Sequence, residues 1–166
     1  MKSLIALLAL ALALTLSVSL VATAGARTRE DQNIVQTAVA AGQFKTLAKL
    51  LNRAGLAGTL QQSGPYAVFA PTDAAFKKVP TKTLNMLLRD KAKLKAVLLY
   101  HVVSGKVAAA DVVKLSSAKT LNGQSVRIRV SGTNVFVNGA KVTTPDVMAS
   151  NGVIHVINRV LVPPAR

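Results

Sequence analysis

Apolar residues recur at helical spacing after Asn33 and at alternate positions in the second half of the chain, and this change of period splits the sequence into a helical and a strand-rich part. Ile34, Val35, Ala38 and Val39 predict one short amphipathic helix. Phe44, Leu47, Ala48 and Leu51, at i, i+3, i+4 and i+7, predict a second after Gly42. Gly55 and Gly58 are expected to end it, as residues tolerant of left-handed backbone do. The apolar run Pro65–Ala70, bounded by Gly64 and Pro71, reads as a buried strand, after which either Thr72 or Asp73 caps a turn of helix through Phe76. Thr81 starts a helix with Leu84, Leu87 and Leu88 on one face. Asp90 starts another, with Leu94, Val97 and Leu98 inward and Lys91, Lys93 and Lys95 mostly outward.

Beyond residue 120 the pattern is that of strands. Val126, Ile128 and Val130 alternate with Arg127 and Arg129, so one face of that strand is expected to be core and the other basic. Asn122-Gly123 and Asn138-Gly139 lie between extended runs, and Asn-Gly is a strong hairpin signal because both residues tolerate positive φ. Val153–Ile157 and Val160–Val162 read as closing apolar strands before Pro163-Pro164. The sum is α+β, a helical layer on antiparallel sheet.

The N-terminus has a different character. Lys2 precedes an unbroken apolar run from Leu4 to Leu14, and a weaker stretch ends at Ala22-Thr23-Ala24. A basic start, an apolar run of ~7 to 15 residues and a small-x-small exit are the parts of a signal peptide, here residues 1–24, with Ala24 or Ala26 as the last residue removed. The competing reading is an uncleaved anchor, but Thr15, Ser17 and Ser19 weaken its second half. Residues 25–32 read as a short flexible lead-in, and 33–164 as one folded domain.

Charge narrows the function. The chain of 166 residues has 21 Lys and Arg against 6 Asp and Glu, a formal charge of +15, with two His and no Cys. The lack of Cys excludes disulfides, a thiol nucleophile and thiolate–zinc sites. Two His without Cys give no expected metal site, and no cofactor is expected. Nucleic acid is not expected either, since the aromatic residues, Phe136 among them, fall mostly in apolar runs or at core spacing and do not interleave with the basic residues.

Three segments together resemble the fasciclin domain family: Gly64 to Phe76, its first conserved box, including Pro71, Thr72, Asp73 and Phe76; the Tyr100-His101 pair; and Asn151 to Leu161, its second box, including Asn151, Gly152 and His155. The resemblance runs from about Gln32 to Pro164. It implies a wedge or sandwich of two antiparallel sheets with helices packed alongside. It also implies an exported adhesion or surface-interaction module rather than an enzyme, secreted, periplasmic or on the cell surface. Thr144-Pro145-Asp146-Val147-Met148 resembles the Glu-Pro-Asp-Ile-Met adhesive motif of periostin-like matrix proteins, with Thr144 in place of Glu and Val147 in place of Ile. A structural turn explains Pro-Asp equally well.

The residues themselves favour structural roles. Tyr100 and His101, within the apolar run Leu98–Val103, are expected to satisfy each other or nearby backbone groups, and His155 to be a bonded core or edge histidine. Asp73 reads as a helix cap. Ser104 follows His101 by three, but no nucleophile elbow surrounds any serine, and the carboxylates form no acid–base dyad. Arg89, Lys91, Lys93, Lys95, Arg127 and Arg129 read either as a basic binding face or as a solvated surface. The partners implied are a surface or matrix protein, an anionic polysaccharide, or both. The alternative to adhesion is a binder of polyanions, acidic glycan or lipid headgroup, through that face. Peripheral envelope association and homo-oligomerisation stay open.

Overall fold

The computed structural model describes residues 31–62 and 64–164, so the proposed signal peptide and most of the lead-in lie outside the described residues. Asn33 caps α1 (Ile34–Ala40) by accepting from the Gln36 amide, while the Gln36 side chain accepts from the Asn33 amide. Gln32, the last lead-in residue, is docked: its carbonyl accepts from the Ser150 amide and the Thr37 hydroxyl. Gly55 ends α2 (Lys45–Ala54) in left-handed conformation at φ 71°. Gly58 does not end that helix but lies inside α3 (Ala57–Gln61), a short turn that sinks Leu60 into the core. Val39, expected inward, is 59% exposed, because Ile34, Val35 and Ala38 already fill the narrow buried stripe of a two-turn helix.

After β1 (Tyr66–Pro71) come α4 (Asp73–Lys77), α5 (Thr81–Arg89) and α6 (Lys91–Tyr100), then β2 (Val102–Ser104), which pairs back onto β1. Asp90 caps α6 through the amides of Ala92 and Lys93. A one-turn helix, α7 (Ala109–Val112), leads to β3 (Ser117–Lys119), β4 (Ser125–Ser131), β5 (Asn134–Val137), β6 (Ala140–Ala149) and β7 (Gly152–Ile157). Asn138 and Gly139, both at positive φ, make the tight turn between β5 and β6.

The strands form one seven-stranded sheet, in the order β2-β1-β7-β6-β5-β4-β3. Its ends meet where Val103 bridges Thr120 and the Leu121 amide bonds the Val102 carbonyl at 2.8 Å, so the sheet curls into a nearly closed barrel. This replaces the expected pair of antiparallel sheets. The central pair is parallel, Tyr66 opposite Gly152 through Pro71 opposite Ile157, because β1 and β7 are separated by the whole helical and meander crossover. Residues Val160–Val162 form no strand and carry no regular secondary structure, with Leu161 buried.

Alternation on β1 and β7 makes two cores. Val68, Ala70, Ile154 and Val156 face the helices with Leu47, Leu51, Leu60, Leu94 and Leu98. Ala67, Phe69 and Ile157 face the barrel interior with Tyr100, Val126, Ile128 and Val137. Val130 continues the inward parity of Val126 and Ile128 but is 47% exposed, since β4 runs past the end of the barrel there.

Candidate functional site

The first box is a connector between helices. Thr72 caps α4 by accepting from the Ala75 amide at 3.2 Å. Asp73 caps a different helix from the one it begins. Its carboxylate accepts from the Thr46 amide at 2.7 Å and the Lys45 amide at 3.3 Å, the start of α2, which has no side-chain cap of its own. Slight burial opposes ionisation of Asp73, but these bonds outweigh it and hold the carboxyl below its ordinary value. Pro71 and Phe76 are buried beside it.

Tyr100 and His101 point to different partners rather than to each other. The Tyr100 hydroxyl donates to the Ser125 carbonyl at 3.3 Å and accepts from Asn138 Nδ2 at 2.7 Å. His101 Nδ1 lies 2.8 Å from the Val97 carbonyl, and Nε2 accepts the Leu161 amide at 2.9 Å. A carbonyl only accepts, so these partners assign the proton to Nδ1 and leave the ring neutral. Burial lowers the His101 pKa to about 4, against the opposing pull of the Val97 carbonyl.

His155 takes the opposite tautomer. Its Nε2 donates to the Val107 carbonyl at 2.8 Å, its Nδ1 accepts the Asp146 amide at 3.4 Å, and its ring stacks on Phe69 at 5.5 Å between centroids. Burial lowers its pKa, opposed by the Val107 bond and by the Asp146 charge. The hydrogen bonds of His101 and His155 thus run to backbone groups and those of Asp73 to Lys45 and Thr46, not to one another or to Ser104. Among the described residues no group of three or more acidic or His side chains could hold a metal ion.

The segment resembling the adhesive motif lies on an irregular stretch of β6. Thr144 faces Val156 and Val147 faces Ile154, so Pro145 and Asp146 form a bulge, with Asp146 at φ 53°. Pro145, Asp146 and Met148 are exposed and Val147 is half-buried against the helical core. One Asp146 carboxylate oxygen accepts the Ala109 amide at 2.8 Å, tying the bulge to the start of α7.

The second box begins with a hub. Asn151 Oδ1 accepts the Ile34 amide at 2.9 Å, and its Nδ2 donates to the carbonyls of Leu60 and Gln62 at 2.7 and 2.9 Å. Gly152 lets β7 approach β1: a Cβ there would run into the Tyr66 carbonyl.

The basic residues divide into two groups. Arg89 and Lys91, Lys93 and Lys95 are exposed at the α5–α6 corner, where Lys93 pairs with Asp90 at 3.4 Å. Arg127 and Arg129 project from the outer face of β4, and both line an open groove with Phe136, Asn138 and Pro164. The sequence reading placed Phe136 with the core aromatics, but it belongs to neither core. Val137 beside it points inward, so the two-residue period turns Phe136 out, opposite Arg129 on one side and Lys141 on the other. That alternation was the available signal.

A helical layer over a curled, nearly closed sheet, held at its seams by buried and capping polar side chains, defines the class. The chain belongs to the fasciclin family: the fasciclin domain model matches residues 42–163. It is 41% identical over 129 residues to an uncharacterised Synechocystis protein, covering 78% of this chain and 96% of the relative. It is 38% identical over 129 residues to the immunogenic protein MPB70 of Mycobacterium bovis, covering 78% of this chain and 62% of that one. Identity to the transforming growth factor-beta-induced protein ig-h3 of Sus scrofa is 38% over 123 residues, 74% of this chain but 18% of the relative. The solved fasciclin domain pair from the insect cell adhesion molecule Fasciclin I superposes with a TM-score of 0.67 at 18% identity, over 81% of this chain and 52% of that one, and shares the fold.

Proposed function

We propose that the protein is an exported, non-catalytic surface-interaction module. Residues 1–24 are removed on export, and the domain 33–164 binds a protein of the cell envelope or matrix. Family membership carries this reading, together with a fold shared with domains of an insect cell adhesion molecule. The chemistry of the histidines supports it: each ring is neutral and has both nitrogens bonded to backbone groups, which leaves them poorly placed as proton shuttles.

The contact surface in this reading is the bulge at Pro145–Met148. Pro145 and Met148 present the exposed apolar surface, and Asp146 fixes the shape of the bulge through Ala109. Binding of the exported protein to immobilised envelope and matrix fractions tests the reading. Met148→Glu should abolish capture and leave the unfolding temperature unchanged; capture that is indifferent to this substitution overturns the assignment of the surface.

A further inference from the structure

Between Val112 and Pro145 the chain carries Lys114, Lys119, Arg127, Arg129 and Lys141 and no carboxylate. This stretch builds β3, β4, β5 and the first half of β6. Elsewhere, Asp73, Asp90 and Asp146 direct their carboxylates at backbone amides near helix starts. The cations of β3 and β4 therefore have no acidic neighbour on their own strands, and Asp146, which shares β6 with Lys141, directs its carboxylate at the Ala109 amide.

Strand register arranges three of these positions in a row. Arg129 lies opposite Phe136, and Phe136 opposite Lys141, so an aromatic ring sits between two cations on the outward face. Strands are about 4.8 Å apart and alternate residues on one strand about 7 Å apart, which gives a two-dimensional grid of charge, with Arg127 one step along β4 from Arg129. The same residues, Arg127, Arg129 and Phe136, line the open groove, as does Asn138, the partner of the Tyr100 hydroxyl. Phe136 is half-buried on the outward face, between Arg129 and Lys141. A partly covered ring flanked by cations suits stacking against a ligand better than insertion into a bilayer.

We propose that the outer face of β4–β6 binds an acidic polysaccharide, with Arg127 and Arg129 pairing with carboxylate groups and Phe136 stacking on the apolar face of a sugar ring. Guanidinium groups match carboxylates in a two-pronged geometry, and the surrounding positive potential draws in a polyanion. A flat aromatic ring adds what charge alone lacks, a preference for the faces of sugar rings over other anions. This deepens the surface-interaction reading and rests on it only for where the ligand is met; the face is separate from the Pro145–Met148 bulge.

Titration calorimetry of the exported protein with three probes tests the assignment: a polygalacturonate oligomer, a polyglutamate of equal charge, and anionic phospholipid vesicles. Polygalacturonate should bind most tightly, more weakly as salt rises. Arg127→Ala with Arg129→Ala should cost about tenfold or more in affinity. Phe136→Leu, which keeps the apolar bulk, should weaken polygalacturonate several-fold and leave polyglutamate unchanged. Thermal unfolding checks that each variant is folded. The assignment fails if Lys91→Ala with Lys95→Ala costs as much as the arginine pair, if Phe136→Leu has no effect, or if vesicles or polyglutamate bind as well as the sugar. Met148→Glu should leave this titration unchanged, so loss of the sugar site and loss of protein capture are separately visible.

Discussion

His101 Nε2 accepts the amide of Leu161 at 2.9 Å, joining the end of α6 to the C-terminal segment across 60 residues of sequence. The same ring donates to Val97, and the His101 carbonyl accepts from Phe69 on β1 at 2.8 Å. One residue thus ties a helix, the central strand and the tail.

The bond to Leu161 requires a neutral ring, which makes stability depend on pH. The folded pKa, about 4, lies below the ordinary 6.5, so between these values the unfolded chain binds the extra proton. The stabilisation is complete above pH 6.5 and is lost as pH falls towards 4; fully expressed, it is on the order of 3 kcal/mol. Burial shifts His155 in the same direction and adds to the slope. Urea unfolding at pH 7 and pH 5 should show a lower midpoint at pH 5. His101→Ala should be less stable at pH 7 by about 1 to 3 kcal/mol or more, from the orphaned Leu161 amide and the cavity, and should show a shallower pH slope. An unchanged slope in the variant would assign the acid sensitivity to other groups.

Asp73→Ala should cost about 0.5 to 2 kcal/mol, the usual loss on removing a helix cap, although α2 lies 28 residues earlier in sequence. Hydrogen exchange should speed up at Lys45 and Thr46 and not at Ala75, whose amide is held by Thr72. Because the folded carboxyl titrates below its ordinary 3.8, its contribution is present above that pH and is lost as pH falls below it. Faster exchange at Ala75 with no change at Thr46 would contradict the cross-helix cap.

What the sequence revealed followed its local physics. The period change separated helices from strands, the Asn138-Gly139 turn was readable from its tolerance of positive φ, and Asp90 stood where a cap should. Val153 to Ile157 read as buried, and are. What was not readable depended on distant partners. Asp73 looked like the cap of its own helix because nothing local points to Thr46. The parallel register of β1 with β7, and hence a single curled sheet, depends on two strands 86 residues apart, Tyr66 and Gly152 among their pairs. Val130 kept the inward parity of its strand, yet the strand outran the barrel. Of the proposed binding face, Arg127 and Arg129 were visible from alternation, and alternation against Val137 could have turned Phe136 outward, whereas the adjacency of Phe136 and Lys141 to the arginines depends on cross-strand register.

Asn151 gives the second box a structural reason. Its side chain bonds the start of α1 and the end of α3, and its backbone carbonyl accepts from Tyr66 at 3.1 Å. Asn151→Asp keeps the acceptor for Ile34 but turns a carboxylate oxygen towards the carbonyls of Leu60 and Gln62. It should therefore destabilise about as much as Asn151→Ala, roughly 2 kcal/mol. Gly152→Ala should be as damaging, because the new methyl meets the Tyr66 backbone rather than a side chain that can move. Denaturant midpoints measure all three; a near-native Asn151→Asp would show that the donor bonds contribute little.

The Asp146 carboxylate accepts the Ala109 amide while its own amide reaches His155, so it bridges the β6 bulge to α7 and to the barrel interior. Its φ of 53° adds a second constraint, since Asn and Asp tolerate left-handed backbone better than other non-glycine residues. The two constraints separate by substitution. Asp146→Asn keeps the backbone preference and an acceptor oxygen, and should lose at most about 1 kcal/mol. Asp146→Ala loses the tether and strains the turn, and should speed hydrogen exchange at Ala109 to Val112 with only a small fall in global stability. If Asp146 shapes the bulge without touching the partner, Asp146→Asn should retain capture on envelope or matrix fractions and Asp146→Ala should lose it in proportion to the local opening. Equal loss of capture in both variants, with α7 still protected in Asp146→Asn, would instead make the carboxylate itself the contact.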